Sequence, residues 1–167
     1  MRQIKAFLRG SLQTIPILTE RMVDFMVYIL LAEGFEEIEA LCPLDLLRRA
    51  GVGTKTVSIT EKRAVIGSHG ITVAADLTAE NSLSDIEMLI LPGGMPGTTN
   101  LDQSKFCDGL VRSAAKSGAY LAAICAAPMV LGRRGLLEGK EAVCFPGFEK
   151  ELAGARLSER RVVRDGK

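Results

Sequence analysis

Met26–Leu31 (MVYILL) is an unbroken run of six apolar residues. It is too short for a buried helix and too uniformly apolar for a strand with one wet face. Such a run fits a strand covered on both sides, as strands of parallel sheets are. The same reading applies to Met88–Leu91, cut off by Pro92-Gly93-Gly94, and to Ala119–Ile124, which runs straight into Cys125. Thr54–Thr60 is a β-branched strand. Between these runs the period changes. Glu36–Ala50 carries Ile38, Leu41, Leu44 and Leu47 at near-helical spacing and stops at Gly51, with Pro43 either kinking the helix or starting its second part. Phe106, Leu110, Val111 and Ala114 give a second apolar helix face, closed by Gly118. Ala64–Ile66 and Ile71–Ala74 flank Gly67-Ser68-His69-Gly70, the pattern of a surface hairpin. This alternation predicts an α/β domain, a mostly parallel sheet with helices on both faces.

With 167 residues the chain suits one domain with a full core. A near-neutral charge of +1, with acids and bases interspersed, lacks the basic stripe of a nucleic-acid binder. No apolar run is long enough to span a membrane. Cys42, Cys107, Cys125 and Cys144 form no CxxC pair, and the single histidine, His69, has no metal-like partner nearby in sequence, which speaks against a structural zinc site. Scattered thiols without a secretory leader suggest a cytoplasmic setting. Residues 1–25 differ from the rest: the first nineteen carry no acid, and Ile4, Leu8, Leu12 and Ile15 fit one helical face. They read as an N-terminal extension, disordered or from a start placed too early, with organelle targeting as the other reading. At the other end, Arg161–Arg164 reads as a strand and Asp165-Gly166 as a hairpin turn whose partner strand is absent.

The chemistry points to Ala122-Ala123-Ile124-Cys125-Ala126-Ala127-Pro128. A nucleophile displayed on a tight strand-to-helix turn needs small neighbours two residues either side, and Ala123 and Ala127 stand there. Pro128 suits a first helical turn, and a helix start beside Cys125 would favour its thiolate. A cysteine merely packed at a strand end fits the spacing equally well. The Pro92-Gly93-Gly94 turn lets backbone approach a ligand, so the amides of Gly94 and Ala126 are candidate oxyanion donors. His69 reads as an ordinary exposed turn residue. Cys107, Cys144 (on an expected strand) and Cys42 read as packing residues, Cys42 with a resolving-thiol role as the lesser alternative.

The segments LLAEGFEEIEALCPLDLLRRAG, LILPGGMPG, AAICAAPMVL and RVVRDGK together resemble the ThiJ/PfpI superfamily, in the branch of the Parkinson-disease protein deglycase and its bacterial relatives. The resemblance covers residues 26–167. It implies a flavodoxin-like three-layer sandwich, a nucleophile elbow at Cys125 and a homodimer. It also implies an acid partner at Glu39, among Glu36, Glu37 and Glu39, that holds a proton for the sulfur. Relatives extend past the equivalent of Gly166 with a strand and a helix, so the domain is expected to lack both. Other branches pair the cysteine with histidine; here Ala126 follows it, and Phe145 stands where some relatives have histidine. The implied activity is cysteine-dependent detoxification or repair of reactive dicarbonyls, acting on a small dicarbonyl or a glycated substrate, with no cofactor and no metal. The alternative is a non-enzymatic oxidative-stress sensor or redox-regulated chaperone using the same cysteine. A cysteine peptidase or amidotransferase is disfavoured by the missing histidine.

Overall fold

The computed structural model describes residues 25–167; the expected extension lies outside the described residues apart from Phe25, which packs against the core. Four strands, β1 (Met26–Leu31), β2 (Gly53–Ser58), β5 (Ile86–Leu91) and β6 (Tyr120–Ala123), form one parallel sheet in the order β2-β1-β5-β6. The apolar run at β1 is buried on both faces by its own alternation. Val27, Ile29 and Leu31 point into one cluster with Phe35, Ala40, Val65 and Ile90. Tyr28 and Leu30 point into the other, with Leu89, Leu91, Val111, Ala114 and Val130. Each face is covered from a different side. Helix α1 (Glu37–Arg49) covers the first, and α3 (Lys105–Ser117) and α4 (Pro128–Gly132) cover the second. A short α2 (Gly97–Gln103) joins β5 to α3. The expected hairpin is present as β3 (Ala64–Ile66) paired antiparallel with β4 (Thr72–Ala74). The architecture is flavodoxin-like α/β.

Several local expectations are corrected. Pro43 sits inside α1, a helix of 13 residues, and does not start a second one. The buried stripe of α1 is Ala40 with Leu44 and Leu47, while Ile38 is 70% exposed. Cys42 is exposed rather than packed, because it falls on the opposite side from that stripe. Arg161–Arg164 is not a strand. The tail instead forms β8 (Arg156–Leu157), parallel to β7 (Glu141–Ala142). The Asp165 carboxylate accepts the Glu141 amide at 2.8 Å and lies beside Lys140 and Arg156. Arg164 and Lys167 lie over the Tyr120 ring, and Leu121 N–H donates to Lys167 O at 2.8 Å. Cys144 follows β7 outside any strand. A cleft of about 610 Å³ lies along β6, lined by Leu121, Ala123, Leu136, Val143 and Val163; neither Cys125 nor Glu39 touches it. No helix among the described residues is long and apolar enough to cross a membrane.

One polar pin joins α1, β2 and the segment after β4. Asp76 Oδ2 accepts from Thr56 N at 2.8 Å, Thr56 Oγ1 at 2.9 Å and Arg48 Nη2 at 2.5 Å. Burial pushes this carboxyl up, but the Thr56 bonds and the Arg48 charge outweigh it and hold the group below its ordinary 3.8. A carboxylate with a depressed folded value stabilises above its unfolded value and loses that contribution as pH falls through the folded one. Asp76→Asn should therefore cost about 1 kcal/mol at neutral pH, after screening at this partly exposed site. In urea titrations the gap from the parent protein should close below pH 3.8; a gap constant down to strong acid would contradict the pin.

Candidate active site

Three loops at the carboxyl ends of β1, β5 and β6 bring the candidate groups together. The sheet runs outward from β1 to β2 in one direction and from β5 to β6 in the other. The crevice at such a reversal is where parallel α/β sheets carry ligands. Glu39 comes from the first turn of α1, Gly93 and Gly94 from the loop after β5, and Cys125 from the turn after β6.

Cys125 adopts φ 60°, a left-handed conformation that few non-glycine residues hold without support from their surroundings. That support is local. Ala127 N donates to Ile124 O at 2.9 Å, Phe145 N to Cys125 O at 2.7 Å, and Ile124 N to Leu91 O at 3.3 Å. Ala126 and Ala127 are buried against the turn, as small neighbours of a tight strand-to-helix bend are expected to be. The result is a strand, a sharp turn and then α4, with the thiol half-buried at the bend. The Phe145 amide clamps the turn from outside, a contact the sequence pattern did not show.

Glu39 reaches the same point from across the crevice. Its Oε2 accepts the Gly93 amide at 2.8 Å, and, beyond the effect of burial, its carboxylate stands close enough to the Cys125 thiol to push it up. Gly93 lies between the two. A Cβ on Gly93 would stand 2.7 Å from Glu39 Oε2, 2.7 Å from Cys125 Cβ and 3.1 Å from Cys125 Sγ. This glycine is required by close approach, and its neighbour Gly94 (φ 87°) by conformation as well. The amides of Gly94 and Ala126 lie on the sulfur's side of the crevice and pull the Cys125 thiol down, against that push. All five residues singled out from the sequence (Cys125, Glu39, Gly93, Gly94 and Ala126) thus meet at one point.

The electrostatics differ from expectation. Burial, then the Glu39 charge, push the Cys125 thiol above its ordinary value, against the two amides that favour the thiolate. The helix-start argument fails because α4 has only five residues and begins three residues past the sulfur, so its dipole is small. Cys107 is fully buried in α3 and pushed up to about 12 by that burial, as a packing residue should be.

A neighbouring cluster was missed. His69 is not an ordinary turn residue: its Nδ1 lies 2.9 Å from Glu37 Oε2, and its amide donates to Glu37 Oε1 at 2.8 Å. Burial pushes the Glu37 carboxyl up, but the His69 ring and the amides of Glu37, His69 and Ile71 outweigh it and bring it to about 2. The hydrogen bond to Glu37, followed by the Glu36 and Glu37 charges, raises the His69 imidazole. The available signal was two adjacent acids at a helix start and a Ser-His-Gly turn. Their separation of 32 residues hides the contact from any local pattern.

The model of the DJ-1/PfpI family matches residues 26–167 of the chain. Protein DJ-1 homolog B of Arabidopsis thaliana is 40% identical over 144 residues, 84% of this chain and 33% of that protein. The chain therefore spans about a third of the length of that plant relative and of its homolog A. A protein named Deglycase PH1704, of Pyrococcus horikoshii, is 30% identical over 84% of this chain and 85% of its own. Among solved structures, a cysteine-to-alanine mutant of the DJ-1 superfamily protein STM1931 from Salmonella typhimurium superposes with a TM-score of 0.81. It is 35% identical, covering 85% of this chain and 78% of that one.

Proposed function

Because this chain belongs to the DJ-1/PfpI family, we propose that it is a cofactor-independent enzyme that converts reactive dicarbonyls, or their early adducts on amines, to hydroxy acids. Cys125 is its nucleophile and Glu39 its proton carrier. The observation that carries this reading is the Glu39 carboxyl and the Cys125 thiol facing each other across Gly93, which has no room for a side chain between them. Two relatives named deglycases support it, at 30% and 33% identity.

The steps follow from the geometry. The raised thiol begins protonated beside the Glu39 carboxylate, which takes its proton as sulfur attacks the aldehyde carbon of methylglyoxal. The carbonyl π electrons move to oxygen, and the Gly94 and Ala126 amides receive that oxyanion, at about 3 kcal/mol per donor in comparable sites. Glu39 returns the proton to this oxygen and gives a neutral hemithioacetal. The carboxylate then moves the proton of the former aldehyde carbon to the adjacent carbonyl oxygen, which gives an enediol. The hydroxyl on the sulfur-bearing carbon loses its proton as the adjacent carbon gains one. Two protons thus leave the first carbon and its oxygen, and two arrive at the second carbon and its oxygen. The product is a lactoyl thioester on Cys125. Water displaces the sulfur and releases lactate and the free thiol. One dicarbonyl and one water are consumed, and no electrons enter or leave.

The test is lactate formation from methylglyoxal by the purified protein, run beside peroxide titration of Cys125. Turnover lost on alkylating Cys125 supports the enzyme. A thiol that oxidises readily in a protein with no turnover would overturn it in favour of the sensor.

A further inference from the structure

We propose that Glu36, Glu37 and His69 form a divalent-cation site of the zinc class, with the Ser68 hydroxyl as fourth donor. The site stands beside the Cys125–Glu39 pair and is independent of the reaction assigned to that pair.

Two separate segments supply the donors: the start of α1 gives both carboxylates, and the β3–β4 turn gives the imidazole and hydroxyl. One ligand atom from each of Glu36, Glu37 and His69 lies within 4.8 Å of the other two. His69 Nδ1 lies 2.9 Å from Glu37 Oε2 and 3.4 Å from Glu36 Oε1. Ser68 Oγ lies 3.0 Å from Glu36 Oε2, 3.2 Å from Glu37 Oε2 and 3.1 Å from His69 Nδ1. Zinc bonds to oxygen and nitrogen of about 2.0–2.1 Å give a tetrahedron with edges of about 3.3 Å. His69 Nδ1, Glu37 Oε2 and Ser68 Oγ, 2.9, 3.1 and 3.2 Å apart, are thus already spaced as one face of such a tetrahedron, and the Glu36 carboxylate, which meets His69 through Oε1 and Ser68 through Oε2, turns one oxygen to the fourth corner. An ion replaces the protons that His69 and Ser68 share with the carboxylates.

Charge is the independent reason for a cation here. Among the described residues, Glu36 and Glu37 make salt bridges only with His69, and neither is within 4.0 Å of a lysine or arginine nitrogen. A protonated imidazole leaves the two carboxylates with one uncompensated negative charge. A divalent ion with a neutral imidazole balances both. The Glu37 carboxylate is also held in place in advance, because its Oε1 accepts the amides of His69 and Ile71. Gly67 allows this: a Cβ there would overlap the Glu37 carboxyl group. The orienting bonds fix one oxygen and leave Oε2 turned to the imidazole, the arrangement that outer hydrogen bonds give metal-binding carboxylates. The His69 side chain is 68% exposed, which gives an ion a way in.

The test is calorimetric titration of the chelator-treated full chain with zinc chloride, alongside the absorption spectrum of its cobalt(II) complex. The expected result is one ion per chain and cobalt d–d bands with no thiolate-to-metal charge-transfer band. His69→Gln should weaken binding by about a hundred-fold or more, with circular dichroism confirming an unchanged fold. Cys125→Ser should bind as the parent does. No saturable binding, equal binding by His69→Gln, or a charge-transfer band lost in Cys125→Ser would each overturn the site. None of these outcomes bears on lactate formation.

Discussion

Glu39→Gln is expected to lower lactate formation from methylglyoxal by about a hundred-fold or more while the fold survives. The amide keeps the shape of the side chain and an oxygen able to accept the Gly93 N–H at 2.8 Å, so the loop after β5 stays anchored. It cannot take the thiol proton or move one between adjacent carbons, and both steps pass through this group. The fall should appear in kcat more than in KM, because the lost interactions belong to the transition states. Turnover equal to the parent's would show that protons move by another route.

Gly93→Ala should have a comparable effect on turnover for a different reason. The added methyl would stand 2.7 Å from both Glu39 Oε2 and Cys125 Cβ. No atom there can stay in place, so carboxyl and sulfur must part. A displacement of about 1 Å among reacting groups costs on the order of a hundred-fold in rate, and overpacking adds about 1–3 kcal/mol of lost stability. Gly109→Ala is the control. It lies within α3 with nothing within 4 Å of the added carbon, and should stabilise by up to about 1 kcal/mol. If Gly93→Ala retained full activity, the tight contact at the site would not be part of its chemistry.

The parts of this fold that were legible from sequence are those that local pattern decides. β1 and the Met88–Leu91 part of β5 are apolar on both faces and announce a covered parallel sheet. The β6–Cys125–α4 turn is legible because small residues, Ala123 and Ala127, stand two places either side of the cysteine, and Ala127 is buried there. What was not legible depends on distant partners. Ile38 reads as core, yet the burial of α1 is set by where Ala40 meets the sheet, and Ile38 faces outward. Val162 and Val163 read as a strand, but the tail pairs earlier in the chain, in β8, and then lies over Tyr120. The Cys125 titration was misjudged because helix polarity was weighed without knowing that α4 would be five residues long. His69 escaped notice because its acid partners lie more than thirty residues away, across the hairpin.

The most direct test of the account is where a dicarbonyl first becomes covalently bound. Brief exposure of Glu39→Gln to methylglyoxal, acid quenching and peptide mapping should find the adduct on the peptide carrying Cys125. Without the Glu39 carboxylate the thiol proton must leave to water, so addition to sulfur is slowed, but the adduct that forms is held because the later proton transfer is blocked. Buried Cys107 should stay unmodified, and exposed Cys42 should carry no more adduct than it does in Cys125→Ala. An adduct confined to Cys42 or Cys144, or lactate formed at the parent rate by Cys125→Ala, would contradict the assignment of Cys125 as the nucleophile.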